Sequence, residues 1–152
     1  MDRKQFKELC KNVFNERGFK KQNHAFYLTG RDLLCGIDLQ KSSFGDIYYV
    51  NYYYFIGKYE NVANYPTHYE SDIQGRIAVM SRKQTLQGKQ FMTAQIEYEE
   101  YSEDELRPFF EKEFEEKILP PIYLGKKYIL ENLNTLYFLT LNQEEVTRKL
   151  QS

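Results

Sequence analysis

The chain has 152 residues and a mass of 18.3 kDa, which at roughly 100–200 residues per domain fits one domain and argues against two. Lys and Arg number 21 against 22 Asp and Glu, with 41% hydrophobic and 28% charged residues, a balance that excludes a strongly basic nucleic-acid binder and is ordinary for a globular protein that needs no metal or disulfide staple. The aromatic content stands out: 14 Tyr and 11 Phe, without one Trp.

Residues 2–17 carry the first helix. Phe6, Leu9, Cys10, Val13 and Phe14 recur at the i, i+3, i+4, i+7, i+8 spacing of one buried stripe. Asp2 and Gln5 stand three apart, as an N-cap and its reciprocal partner do. Gly18 supplies the left-handed stop, and Phe19 is placed to fold back on Phe14 in a Schellman closure. Because charged and apolar residues alternate from Met1 to Lys21, the segment has no apolar h-region and does not read as a secretory signal. A cytoplasmic protein is expected.

From Ala25 to Glu99 the period becomes that of strands. Ala25–Thr29 and Leu33–Lys41 are two, joined by Gly30, Arg31 and Asp32; in the second, Cys35, Ile37 and Leu39 alternate with Gly36, Asp38 and Gln40, giving one apolar and one mixed face. Ser42 to Asp46 forms a turn. Ile47–Ile56 is the most β-prone run of the chain. Its even positions, Tyr48, Val50, Tyr52, Tyr54 and Ile56, and its odd positions, Tyr49, Asn51, Tyr53 and Phe55, are both largely apolar or aromatic, which predicts a central strand covered on two sides. Residues 57–72 lack a period and read as a long loop. Ile73–Met80 and Phe91–Glu99 are predicted as two further strands, joined through Gly88. No helical pattern separates the strands, so an antiparallel meander is favoured over parallel crossovers, which need a dozen or more residues.

The last third returns to helix. Ser102 and Glu105 form a capping-box pair ahead of the stripe Leu106, Phe109, Phe110, Phe114 and Ile118. Pro108 conflicts with that cap and predicts a helix proper that starts near Arg107; Pro120 and Pro121 predict its end. Tyr123–Leu133 suits another short helix, and Asn142 with Glu145 caps a final one over Gln143–Leu150. The densest apolar stretch, Leu136 to Leu139, falls far short of the roughly 18 residues a membrane span needs.

The order of these elements, together with Gly18-Phe19-Lys20-Lys21, Phe26-Tyr27, the run Leu39-Gln40-Lys41-Ser42-Ser43-Phe44-Gly45 leading into Tyr49-Val50-Asn51, and Gly75-Arg76-Ile77, resembles the bacterial domain of unknown function 4304 family. The resemblance runs from about Phe6 to the proline-ended helix. The Gln-Lys-Ser-Ser turn before an Asn-containing strand is its most specific piece, while Tyr52 to Phe55 departs from the more aliphatic strand expected there. What the resemblance implies is a single α+β domain with no assigned activity.

Little in the chain carries catalytic chemistry. His24 and His68 lack HxxxH or His-Cys spacing, and no calcium-loop carboxylates appear, so neither metal nor cofactor is predicted. Cys10 and Cys35 form no CxxC and are expected as reduced, buried thiols. Ser42 and Ser43 have no GxSxG elbow around them, and a turn serine bonding its own backbone explains them. Lys41-Ser42 lacks the glycines of a phosphate loop.

Two features remain. Residues 97–116 hold Glu97, Glu99, Glu100, Glu103, Asp104, Glu105, Glu111, Glu113, Glu115 and Glu116 against Arg107 and Lys112, whereas Met1–Lys21 is basic; an acidic face can steer a basic partner or be a solvated helix with acids toward its N-terminus. The tyrosine-rich strand is core, or a pocket or partner surface; with no Lys or Arg between Ser42 and Gly57 it lacks the basic surround that nucleic acid requires.

The expectation is a single α+β domain over 1–152, an antiparallel sheet of four to five strands with the N-terminal helix and C-terminal helices packed against it. The primary functional expectation is a non-catalytic cytoplasmic protein that binds a protein partner through the acidic helix or the tyrosine strand, as in toxin immunity. The alternative is a small-molecule binder or unrecognised enzyme with a pocket beside the Gln40-Lys41-Ser42-Ser43 turn, using Gln40, Lys41, Ser42, Ser43, Asn51, Tyr52, Tyr54 and Arg76.

Overall fold

A computed structural model describes residues 1–133 and 143–152 and, between them, the backbone of Leu139–Thr140. Helix α1 spans Arg3–Glu16, and both of its ends are closed as the sequence predicts. The Gln5 N–H donates to Asp2 Oδ1 and the Asp2 N–H to Gln5 Oε1, each at 2.8 Å, which satisfies two donors that a helix start leaves orphaned. At the other end Gly18 takes φ +90°; its N–H reaches the Asn15 carbonyl and the Phe19 N–H the Phe14 carbonyl, the paired bonds of a Schellman motif.

The chain then enters an antiparallel meander of β1 (Lys20–Gln22), β2 (Ala25–Thr29), β3 (Leu33–Lys41), β4 (Tyr48–Ile56) and β5 (Ile73–Arg76), with neighbours in space following order in sequence. The two-residue β8 (Leu139–Thr140) extends the free edge of β5. The fold is α+β: the five-strand meander, with β8 added at its edge, carries the N-terminal and C-terminal helices on a single face. Phe6, Leu9, Cys10, Val13 and Phe14 of α1 share one core with Cys35, Ile37, Tyr48, Val50, Tyr52 and Tyr54 of the sheet and with Leu106, Phe110, Phe114, Ile118, Ile122, Ile129, Val146 and Leu150 that follow. On the other face Ala25, Tyr27, Leu34, Tyr53 and Phe55 form a smaller cluster, covered by Tyr59 and Tyr65 of the 57–72 loop. Central β4 is therefore covered on both sides.

The strand predicted at Ile73–Met80 is broken. After Arg76 the Ile77 N–H still donates to the Val50 carbonyl, but the Ala78 N–H turns to the carboxylate of Glu113 at 3.3 Å, and β6 (Val79–Gln84) pairs with β7 (Gln90–Thr93) in a separate hairpin. Likewise Phe91–Glu99 is not one strand: β7 ends at Thr93, Ile96 returns to bridge Tyr48, and residues 98–100 form a 3₁₀ turn. The polar strand β1 has no alternation from which to predict it and is held by its register with β2.

Helix α2 spans Glu103–Glu113 from the Ser102 cap, with Pro108 inside it, which corrects the expected start near Arg107. Pro108 lies on the exposed side, where water can serve the Asp104 carbonyl that proline deprives of its donor. Nor do Pro120 and Pro121 end the helical run. A π-turn over Phe114–Ile118 leads into α3 (Leu119–Leu124), where the prolines occupy the first turn and need no N–H. The Tyr54 hydroxyl donates to the Ile118 carbonyl at 2.7 Å, tying that turn to the centre of the sheet. Gly125 separates α3 from α4 (Lys126–Glu131), so the helix expected over Tyr123–Leu133 is two pieces. Helix α5 spans Gln143–Gln151; its predicted cap Asn142 and the apolar residues Leu136 to Phe138 lie outside the described residues. Among the described residues no helix is long and apolar enough to cross a membrane.

Candidate functional site

The outer face of the sheet begins as a hydrophobic patch and ends in a polar one. Register places Asp38 of β3 opposite Asn51 of β4, and Asn51 opposite Arg76 of β5. The Asn51 amide donates to Asp38 Oδ1 and to Gln40 Oε1, both at 3.0 Å, while its oxygen accepts from Arg76 Nε at 3.0 Å. Arg76 Nη2 also reaches Gln40 Oε1 at 3.4 Å, and its guanidinium lies 4.1 Å from the centre of the Tyr49 ring, a cation–π contact. Asn51 is buried, and its amide oxygen and both amide hydrogens are used, which makes this network a rigid floor.

The 57–72 loop arches over this floor and leaves a cleft of about 610 Å³. Its wall is a column of rings. His68 stacks on Tyr53 at 4.6 Å between centroids, and Tyr69, itself exposed, stacks on His68 at 5.8 Å. Tyr65 packs on Tyr27 at 4.9 Å, and the Tyr27 hydroxyl donates to the Pro66 carbonyl. Gln22 of β1 fastens the loop from the edge, accepting from the Tyr65 N–H at 2.8 Å and donating to the Ala63 carbonyl.

The electrostatics of the cleft are simple. Asp38 is the single carboxylate among the lining residues, and no Lys or Arg lines it; His68 Nδ1 sits 3.4 Å from Asp38 Oδ2. Burial, reinforced by the charge of Asp38, pushes the Tyr53 hydroxyl far above its ordinary pKa, and burial raises Tyr27 as well. Both phenols stay protonated at neutral pH and act as neutral polar groups. Among the described residues no three metal-ligating side chains gather.

Of the side chains singled out from sequence, Gln40, Asn51 and Arg76 come together on this floor. Lys41, Ser42 and Ser43 do not join them. The Lys41 ammonium bends to the carbonyls of Gly45 and Ser42, Ser42 Oγ accepts from the Phe44 N–H at 3.1 Å as a turn serine, and Ser43 faces solvent. Tyr52 and Tyr54 point through the other face into the core. Sequence reasoning missed Asp38, legible as the hairpin partner of Asn51 once the β3–β4 register is counted, and missed His68, Tyr27, Tyr53 and Tyr65. No local signal in a loop without a period leads His68 to Asp38.

The acidic segment is partly neutralised within the chain. Arg107 meets Glu16 at 3.2 Å and Glu103 at 3.3 Å, Arg82 pairs with Glu105, Lys83 meets Glu97 at 2.8 Å, and Lys117 meets the buried Glu113 at 3.0 Å.

The family model of the domain of unknown function (DUF4304) matches residues 10–122. No curated protein and no solved structure matches the chain. The matched stretch contains the strands β1 to β7, the polar floor and the loop above it, so the candidate site lies wholly within the shared region. The chain belongs to the DUF4304 family.

Proposed function

We propose that the protein is a non-catalytic binding module whose outer cleft takes a small neutral or cationic ligand carrying a flat ring. The observation that carries this reading is the cleft itself: an aromatic wall above a fixed polar floor, with Asp38 as its one carboxylate. About 610 Å³ falls in the range of small-ligand sites, roughly 300–1,000 Å³. The exposed ring of Tyr69 and the half-buried ring of Tyr65 offer faces for stacking, backed by the half-buried His68 and the buried Tyr53 beneath Tyr69, and cationic groups gain from both the rings and the carboxylate. Catalysis is not favoured: His68 and Asp38 stand 3.4 Å apart, but among the described residues no serine, cysteine or lysine lines the cleft for them to activate. A protein-partner role through segment 97–116, of the toxin-immunity kind, draws less support because Glu97, Glu103, Glu105 and Glu113 are already paired within the chain. A cytoplasmic setting belongs to the same reading, supported by two free, buried thiols, Cys10 and Cys35.

Titration of the ¹⁵N-labelled protein with a panel of arylalkylamines such as tyramine tests it. Binding members should shift the side-chain amide of Asn51 and the backbone of His68, and Asp38→Asn should weaken them at least tenfold, about 1.4 kcal/mol. A panel in which no member shifts those resonances, or in which Asp38→Asn binds as the wild type does, overturns the proposal.

A further inference from the structure

The helix-covered face of the sheet opens, at its rim, into a second concavity of opposite charge. Arg3, Lys7 and Lys11 stand at i, i+4 and i+8 on α1 and so form one stripe, about 12 Å long at 1.5 Å per residue. The sheet brings Lys21 of β1 and Lys41 of β3 up to that stripe, and together they line a groove of about 390 Å³. Tyr48 lies beneath it: its hydroxyl accepts from Arg3 Nε at 2.7 Å, and the charged groups of Arg3, Lys7 and Lys41 sit 5.8, 6.0 and 6.0 Å from its ring centre. Glu8 is the one carboxylate lining the groove.

These cations are not spent on the protein's own acids. Among the described residues the ion pairs fall elsewhere, on Arg82, Lys83, Arg107, Lys117 and Lys149 among others. Like charges gathered in a concavity repel one another, and the low-dielectric wall beneath focuses their field outward. An anion entering the groove relieves that repulsion.

We propose that the groove binds a small ligand carrying two or three linked phosphate groups. Four of its five cations are lysines, compact point charges that suit phosphate oxygens spread along a chain, and the stripe is long enough for consecutive phosphates. A nucleic-acid strand fits less well, because stacking platforms are missing: Tyr48 is 2% and Phe26 9% exposed, their rings turned into the core. The groove is independent of the outer cleft, although His24 and Leu39 border both.

Calorimetric titration of the full chain at low salt tests this with inorganic tripolyphosphate, orthophosphate, a nucleoside triphosphate and a 12-residue oligothymidylate. Tripolyphosphate should bind at least tenfold tighter than orthophosphate. Lys7→Gln with Lys11→Gln, both exposed on α1, should lose that affinity at least tenfold with an unchanged urea midpoint, whereas Lys58→Gln with Lys89→Gln, equally exposed but outside the groove, should not. A nucleoside triphosphate tighter than tripolyphosphate assigns the phosphates to a nucleotide, and equal binding assigns them to the inorganic chain; both uphold the site. The proposal is overturned by equal affinity for orthophosphate and tripolyphosphate, by a loss in Lys58→Gln with Lys89→Gln matching that of the groove double variant, or by tightest binding to the oligonucleotide.

Discussion

Two tyrosines on β4 fit because the strands beside it carry glycine. The Tyr53 ring lies across Gly36 on the outer face and the Tyr52 ring across Gly75 on the inner face, each at its own register partner. A Cβ at Gly75 would stand 2.5 Å from Tyr52 Cζ, and one at Gly36 would overlap the Tyr53 ring. Both glycines are thus demanded by space, with no positive φ involved. Gly36→Ala should lower the unfolding free energy by about 1–3 kcal/mol, the usual cost of overpacking, measured by urea denaturation. In a double-mutant cycle with Tyr53→Ala the penalty of the glycine change should largely vanish; a full penalty on that background would mean that the ring is not its cause. The crowding of aromatics on this strand is plain in the sequence. Their tolerance is not, since the glycines lie some 17 and 23 positions away and meet the rings only through pairing.

At the level of elements, the signals read correctly are those held within one turn of chain. The caps of α1, the Gly18 stop and the bounds of β2 and β3 each rest on residues adjacent in sequence or three to four apart. Misreadings arise where a distant group decides. Glu113 of α2 captures the Ala78 N–H and so separates β5 from β6, and the core-facing stripe of α2 outweighs Pro108. That helix offers a paired test. Ser102→Ala removes the acceptor of the Glu105 N–H and should cost about 1 kcal/mol. Pro108→Ala restores a donor for the Asp104 carbonyl on an exposed turn and should raise the urea midpoint, by up to about 3 kcal/mol in stability, less what proline gains by restricting the unfolded chain. A drop in midpoint with Pro108→Ala would show the proline to be shaping the helix rather than merely tolerated by it. The candidate site divides along the same line: Gln40, Asn51 and Arg76 belong to one sheet face and were accessible to strand periodicity, whereas His68 enters from a loop whose path is set by Tyr27, Gln22 and Tyr53.

Over the whole molecule, near-zero net charge conceals a basic groove at α1 and a cleft holding a single carboxylate, while the interior holds ionisable groups that folding keeps protonated. Burial raises the Tyr52, Tyr53 and Tyr54 hydroxyls above their ordinary value of 10.0 and the Cys10 and Cys35 thiols above 9.0. For such acids the folded pKa exceeds the unfolded one. Well below pH 9 both states bind the proton and stability is fully present; as the pH nears and passes 9 the unfolded chain releases protons that the folded chain retains, so stability falls as pH rises. Each group still protonated in the native state then removes about 1.4 kcal/mol per pH unit once the pH exceeds its unfolded pKa. Urea unfolding measured from pH 7 to 11.5 should therefore show a free energy insensitive to these groups up to roughly pH 8.5 and a steepening decline beyond. Tyr54→Phe lowers the plateau, because the Ile118 carbonyl loses its 2.7 Å donor, yet should flatten the decline above pH 10 by one group's share. An unchanged slope in that variant would place the alkaline loss on surface charge repulsion instead of on the buried ring hydroxyl.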